Sequence, residues 1–170
     1  MDYKPEKIMC WGPIPTPPLG WTWDNLMDEA LIEANQCTKK NEVPVGAIIV
    51  HKNGKIIGKG HNAPITTSDP TAHAEILALR TAGAVQQNYR LQDCFLIVTL
   101  EPCLMCVGAI IQARIDGIVY GAAELNTGSI TSCIAGFDLP FNNYKPWHMG
   151  GIKATQCSQL LHNFFYKLRK

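Results

Sequence analysis

The hydrophobic pattern of the chain changes period several times, and each change predicts a secondary-structure element. Segment 24–41 is apolar at near-helical spacing, opens on Asp24 as a cap and closes on lysines, which predicts a helix. The apolar positions that carry this pattern are Leu26, Ala30, Ile32 and Ala34. Two β-rich runs then flank Asn53-Gly54, a dipeptide typical of tight turns between antiparallel strands. The sequence therefore predicts a helix followed by a β-hairpin.

Beyond the hairpin, apolar strand patterns alternate with helical ones. The predicted strands are 94–100 and 117–122. One predicted helix opens in 69–80 after a cap-like Asp-Pro-Thr, and the other two are 101–115 and 155–170. Pro102 falls in the first turn of its helix, where a missing N–H costs nothing. Segment 63–71 is predicted as a loop and 124–151 as a mixed, loop-rich region. Strands that alternate with helices are parallel and covered on both faces. The predicted fold class is α/β: a three-layer α/β/α sandwich whose mixed sheet has an N-terminal antiparallel hairpin and later parallel strands.

Length and composition place these elements in one domain. At 170 residues the chain is long enough to bury a substantial core. Residues 1–20 hold five prolines and no regular pattern. We therefore expect a Pro-rich N-terminal extension at 1–20, docked by Trp11 and Trp21, and a single domain at 21–170.

Charge and hydropathy narrow the function classes. The formal net charge of +1 is too small for a non-specific nucleic-acid binder, and only the C-terminal FFYKLRK places positive charge beside aromatic rings. No apolar run approaches the roughly 20 residues that span a bilayer. The N-terminus also lacks the charged-then-apolar pattern of a secretory leader. We expect a cytoplasmic protein without membrane association.

The cysteines point to a metal or to redox chemistry. Their number is seven, and an odd count in an intracellular chain of this size argues against a disulfide framework. Cys103 and Cys106 lie three positions apart at a predicted helix start, so both sulfurs face one side. The helix N-terminus favours their thiolates. A C-x-x-C in this context suits either a metal ion or thiol–disulfide exchange.

His73 and Glu75 favour the metal. They stand in an otherwise small and apolar helix, where an imidazole and a carboxylate are costly to bury without partners. One imidazole with two thiolates suits Zn²⁺, and three protein ligands with an open fourth position are typical of catalytic zinc. A neighbouring carboxylate takes a proton from a zinc-activated water and passes it to a leaving group. Because residues two apart do not share a helix face, we expect His73 at the very start of its helix.

These motifs resemble a known family. HAE followed by PC-x-x-C is the signature of the zinc-dependent nucleoside and nucleobase deaminases. From about Glu42 to the C-terminus the chain is similar, in order, to bacterial tRNA adenosine deaminases. The segments that carry the similarity are EVPVGAIIV, GHNAPI, DPTAHAEILALR, QNYRL, VTLEPCLMCVGAII, ARI, VYGA and CSQLLHNFFYKLRK. The Pro-rich extension has no counterpart in this pattern.

The resemblance implies an activity and a metal site. The activity is the hydrolytic deamination of adenosine to inosine at the wobble position of a tRNA anticodon loop. His73, Cys103 and Cys106 would ligate one Zn²⁺ per chain, and Glu75 would shuttle the proton. The partner would be a tRNA anticodon stem-loop, and the family usually works as a homodimer. Recognition of an unpaired loop relies on stacking and base-edge contacts, which agrees with the near-neutral charge.

The resemblance also implies substrate contacts. The amide of Asn62 would hydrogen-bond the purine, and Val43 and Ala74 would line the base pocket. Phe165 is a candidate RNA contact beside the terminal basic residues. Glu124 stands where many members have aspartate and would take the place of that residue in a contact to the backbone ribose. Its side chain is one methylene longer, which departs from the family pattern.

Other interpretations of the same residues stay open. IAGFD, at 134–138, resembles guanine deaminases, which share the zinc motif, so a free purine-base deaminase is the alternative enzyme. A non-catalytic RNA-binding module with structural zinc and a thiol–disulfide oxidoreductase are alternatives from other classes. The structural-zinc interpretation needs a fourth ligand, and no further Cys or His stands at a characteristic spacing.

Overall fold

A six-stranded sheet forms the centre of the computed structural model, which describes residues 9–10 and 12–169. The strands are β1 (Met9–Cys10), β2 (Gly46–His51), β3 (Ile56–His61), β4 (Cys94–Leu100), β5 (Gly117–Ala122) and β6 (Trp147–Gly150). The helices are α1 (Trp23–Gln36), α2 (Pro64–Thr67), α3 (Ala74–Gln86), α4 (Leu104–Ala113) and α5 (Ala154–Leu168). No helix in the described part of the chain is long and apolar enough to cross a membrane.

The strand pairing confirms the predicted mixed sheet. The strand order is β1-β6-β5-β4-β2-β3, with β2 antiparallel to both β3 and β4. Strands β4, β5 and β6 are parallel. The hairpin turn at 52–55 contains Gly54 at φ +88°, a left-handed conformation that glycine adopts without strain.

Two helical layers cover the sheet, as predicted. Helices α1 and α5 pack on one face and α3 and α4 on the other. Successive residues of a strand point to opposite faces, so Ile48 joins the core under α1 while Ile49 joins the core under α3 and α4.

Two helix starts differ from the prediction. Helix α1 is capped by Thr22, whose Oγ1 accepts a hydrogen bond from the backbone N–H of Asn25 at 3.1 Å. Asp24 therefore lies in the first turn, where its charge still favours the helix N-terminus. Helix α4 begins at Leu104, so Pro102 precedes the helix instead of lying in its first turn.

Three short elements fall where no regular element was predicted. Helix α2 lies within 63–71, β6 lies within the mixed region 124–151, and β1 lies within residues 1–20, where pairing with β6 forms a strand despite the prolines. Trp21, a predicted anchor of the extension and the first residue of the predicted domain, donates its Nε1–H to the carbonyl of Gly54 in the hairpin at 2.8 Å. Trp11, the other predicted anchor, lies outside the described residues.

Candidate metal centre and proton-transfer site

His73 lies at the N-terminus of α3 and is preceded by a tightly bonded loop. Asp69 Oδ1 accepts hydrogen bonds from the backbone N–H and the hydroxyl of Thr71, at 2.8 and 2.7 Å. These bonds hold the pKa of Asp69 below its usual range. His73 itself is the N-cap residue, with extended backbone at φ −73° and ψ 153°. The structure therefore places His73 at the very start of the helix.

Cys103 and Cys106 occupy the N-terminus of α4. Cys103 is the N-cap residue and Cys106 lies in the first turn, fully buried. Only residues 101–103 separate α4 from β4, so this helix starts beside the C-terminal end of a central strand. Both sulfurs face the start of α3.

The two helix starts bring three metal-binding atoms together. Nδ1 of His73 lies 3.6 Å from Sγ of Cys103 and 3.6 Å from Sγ of Cys106, and the two sulfurs are 3.8 Å apart. Within residues 9–10 and 12–169, this donor triangle is the single group of three or more His, Cys, Asp or Glu residues whose donor atoms all lie within 4.8 Å. An imidazole with two thiolates fits zinc and leaves a fourth coordination position open.

The three donor groups shift one another's pKa. The hydrogen bond with Cys106 lowers the pKa of Cys103, and the same bond raises the pKa of Cys106. Contact with Cys103 raises the pKa of His73. Because metal ligands must be deprotonated, loading of the triangle competes with protons.

Glu75 faces the same point from the first turn of α3. Its side chain is 4% exposed, and its carboxyl interacts with the thiol of Cys106. Burial raises the pKa of Glu75, although the nearby His73 opposes this shift. A carboxyl with a raised pKa is suited to general acid–base catalysis near neutral pH. Because His73 precedes the regular helix, two residues at i and i+2 reach one site.

Two of the predicted substrate contacts, Asn62 and Ala74, meet at the start of α3. Oδ1 of Asn62 accepts a hydrogen bond at 3.0 Å from the N–H of Ala74, a first-turn group with no partner inside the helix. Ala74 is fully buried, and Val43 is half-buried against the same core. Strand β3 approaches α3 so closely at Gly60 that a Cβ on this residue would lie 2.4 Å from the carbonyl oxygen of Ala74.

The other two predicted substrate contacts are Glu124 and Phe165, and neither belongs to the donor triangle. Oε1 of Glu124 accepts a hydrogen bond from the N–H of Asn126 at 2.8 Å, so this side chain turns back on its own loop. Phe165 lies on α5 and is 43% exposed. One turn earlier, Leu161 packs against the same core cluster that Val43 packs against.

Glu101 is a neighbour of the site that the sequence patterns did not single out. It lies two residues before Cys103, is 2% exposed, and binds the loop 124–132 through its carboxylate. Burial disfavours its charge, but the hydrogen bonds from that loop, the Ser132 hydroxyl foremost, hold its pKa below the usual range. The sequence does contain one signal for Glu101, which is an ionisable residue placed between an apolar strand and the dipeptide Pro102-Cys103.

Comparison with known proteins identifies sequence relatives. The family model described as the cytidine and deoxycytidylate deaminase zinc-binding region matches residues 22–122, which contain the whole donor triangle. A tRNA-specific adenosine deaminase of Haemophilus influenzae is 46% identical over 147 residues, covering 86% of this chain and 85% of that protein.

Solved structures share the fold. One from a study of A-to-I editing by tRNA:A34 deaminases at the wobble position of transfer RNA has a TM-score of 0.78 at 36% identity, covering 81% of this chain and 99% of that chain. A guanine deaminase from Bacillus subtilis has a TM-score of 0.58 at 39% identity, covering 61% of this chain and 66% of that chain.

Proposed function

The chain belongs to the family of the cytidine and deoxycytidylate deaminase zinc-binding region, and from this premise we propose that it deaminates adenosine to inosine at the wobble position of a tRNA anticodon loop. The family supplies the reaction class, which is hydrolytic deamination. The substrate is inferred from the tRNA-acting relatives, which match more of the chain than the guanine deaminase does.

The observation that carries the proposal is a buried carboxyl beside a three-donor metal site. We assign His73, Cys103 and Cys106 as the ligands of one zinc ion per chain, because one imidazole and two thiolates suit that ion. When bound, zinc supplies the Lewis acidity that makes water nucleophilic near neutral pH. Among the described residues no fourth His, Cys, Asp or Glu joins this group, which argues against a purely structural site.

Glu75 is the proposed proton carrier. The reaction replaces the amino group of adenine by the carbonyl oxygen of inosine, so protons have to move from the attacking water to the purine and to the departing ammonia. The carboxyl of Glu75 lies beside Cys106 and burial raises its pKa, so it can accept one proton and deliver it again.

Asn62, Val43 and Ala74 are the proposed contacts to the base. The acceptor end of the Asn62 amide is engaged by Ala74, which leaves its Nδ2 donors for acceptor atoms of the purine. Val43, which is half-buried, and Ala74, whose backbone N–H binds that amide, are the proposed apolar lining of the base pocket. In this arrangement the Asn62 amide would bind one edge of an extruded base, and the two apolar side chains would contact its faces.

Helix α5 and the loop near Glu124 are the proposed RNA contacts. Phe165 offers a partly exposed ring for base stacking, and Lys167 and Arg169 follow it on the chain. Glu124 lies on the loop bound to Glu101 and is proposed to contact the backbone ribose. The partner is an anticodon stem-loop, and a tRNA substrate implies a cytoplasmic location.

The test is conversion of a synthetic anticodon stem-loop that carries adenosine at the wobble position. The native protein should form inosine and release ammonia. Glu75→Gln should retain zinc while its rate falls by roughly 10²- to 10⁴-fold. Glu29→Gln, a carboxylate change on α1, serves as the control and should keep native activity. Native activity in Glu75→Gln would contradict the proton assignment.

Guanine deamination is the second candidate, supported by the Bacillus subtilis structure and by IAGFD at 134–138. The same assay decides between the two, with guanine, free adenosine and cytidine tested beside the stem-loop. Ammonia release from guanine alone would replace the tRNA assignment.

We also propose a homodimer of the domain at 21–170, with 1–20 as an extension. A groove of about 900 Å³ lies between the outer faces of α3 and α4, lined by Ile76, Leu79, Met105 and Ala109. Light scattering tests this proposal. Ala109→Arg should give a monomer, whereas Ile32→Arg, an exposed apolar position on α1, should leave the dimer intact.

A further inference from the structure

Glu101 is a buried anion whose hydrogen-bond partners are all donors of one loop. Its Oε1 accepts from the N–H groups of Ile130, Thr131 and Ser132 at 3.1, 2.7 and 3.0 Å. Its Oε2 accepts from the N–H of Glu124 at 3.2 Å and from the hydroxyl of Ser132. The hydroxyl of Thr131 completes the set at 3.5 Å from Oε1. The loop 124–132 is therefore organised around a single carboxylate.

The same loop contacts the backbone that carries Cys103. The N–H of Ser129 donates to the carbonyl of Pro102 at 2.8 Å, and Gly128 forms a β-bridge with Cys103. There is no room for a side chain at Gly128, because a Cβ there would lie 2.6 Å from Oε2 of Glu101. The loop is therefore attached at two points that flank Pro102. The Glu101 carboxylate binds the loop on the N-terminal side of Pro102, and the backbone of Cys103 binds it on the C-terminal side.

We propose that Glu101 is a positioning residue of this site: by binding loop 124–132 against residues 101–103, it fixes Cys103 at the start of α4 and so fixes the donor triangle. Without the carboxylate, the loop and the N-cap of α4 relax together. The distance from the Cys103 sulfur to His73 is then no longer held. The inference rests on the proposed metal site, and its kinetic readout rests in addition on the proposed tRNA substrate.

The chemistry of the partners explains why a carboxylate is needed. Both oxygens meet only donors, and a carboxylate is acceptor-only. Glutamine keeps the shape but turns an NH₂ group toward backbone N–H groups, so one of them loses its acceptor. Ser132→Ala is a milder change that removes the Ser132 hydroxyl and leaves Glu101 intact.

Cobalt substitution tests the geometry directly. Co²⁺ replaces zinc, and its d–d and thiolate charge-transfer absorption reports the arrangement of its ligands. Glu101→Gln should shift these bands and weaken zinc affinity by roughly tenfold or more. Ser132→Ala should shift them less, in the same direction. The control is Leu26→Ala, in the core under α1, which lowers the melting temperature without touching the loop and should keep the native spectrum.

Kinetics supply the second readout. With the anticodon stem-loop as substrate, Glu101→Gln should lower kcat roughly ten- to a hundredfold, because the metal ligands are displaced. Any accompanying rise in KM reports the displacement of Glu124, the proposed ribose contact on the same loop. Leu26→Ala should keep both constants below its melting temperature.

Native cobalt spectra and native zinc affinity in both Glu101→Gln and Ser132→Ala would overturn the proposal. If Glu101→Gln does not fold, Ser132→Ala decides alone, with a native spectrum counting against the proposal. If the native protein leaves the stem-loop unchanged, the proposed function fails, while the cobalt comparison still decides the role of Glu101.

Discussion

The side-chain amide of Asn62 has an acceptor end and a donor end, and the fold uses them differently. Its Oδ1 accepts the N–H of Ala74 at 3.0 Å and so stabilises the start of α3. Its Nδ2 donors are left for the proposed substrate. Substitutions can therefore separate the stability role of this residue from its binding role.

Asn62→Asp should keep the fold and lose activity. A carboxylate still accepts the Ala74 N–H, and a negative charge is favoured at a helix N-terminus, so the melting temperature should stay near native. The donor to the purine is gone, which costs about 1–3 kcal/mol, or roughly 5- to 150-fold in kcat/KM. Asn62→Ala should lose both activity and stability. Native turnover by Asn62→Asp would show that the amide does not bind the base.

Sequence patterns identified the residues whose roles can be inferred from their own type and from nearby positions in the chain. Cys103 and Cys106 share a helix start, and His73 carries an imidazole in an apolar segment, so their types and spacing predicted the donor triangle. Glu101 escaped prediction because its partners lie in the loop 124–132. Only tertiary structure brings that loop to the carboxylate.

At the level of elements, β3 packs closely against the start of α3, the helix end that carries His73. Gly60 in β3 faces the start of α3, where a Cβ would lie 2.4 Å from the carbonyl oxygen of Ala74 and 2.7 Å from the nitrogen of Ala78. A glycine here allows strand and helix backbones to approach.

Gly60→Ala should therefore force α3 away from the sheet. We expect a loss of about 1–3 kcal/mol in the free energy of unfolding, measured by urea denaturation. Gly108→Ala on α4 is the matched control, because a Cβ there would have no atom within 4 Å apart from its chain neighbours and its own helix backbone. It should stabilise the protein by about 0.5–1 kcal/mol. Equal stabilities for the two variants would contradict the packing argument.

Elements with a strong local pattern were predicted and weakly patterned ones were missed. The predicted bounds of β4 and β5 agree with the structure, because both strands are continuous apolar runs between polar connections. Strand β6 has four residues in a segment rich in glycine, proline and polar residues, and it exists as a strand through pairing with β5. That pairing is non-local, so no window of sequence reveals it.

For the whole molecule, a buried imidazole should make stability depend on pH. His148 in β6 is 3% exposed and packs against the ring of Phe137 at 5.5 Å. Burial lowers its pKa, so the unfolded chain takes up a proton at a higher pH than the folded protein does. The free energy of unfolding should therefore fall as pH drops from 7 to 5. His148→Gln should flatten this dependence, measured by urea denaturation at each pH, and an unchanged slope would contradict the argument.

The donor triangle joins two helices that the chain separates by a strand, so metal removal should weaken the whole molecule. A ligand that binds only the folded state adds about 2.7 kcal/mol at a hundredfold excess over its Kd. Chelation should then lower the melting temperature by roughly 5–10 °C, measured by calorimetry, and added zinc should restore it. Cys103→Ser should be insensitive to the chelator, whereas Cys133→Ser, an exposed thiol outside the triangle, should respond as the native protein does. A native melting temperature that chelation leaves unchanged would mean that zinc does not hold α3 and α4 together.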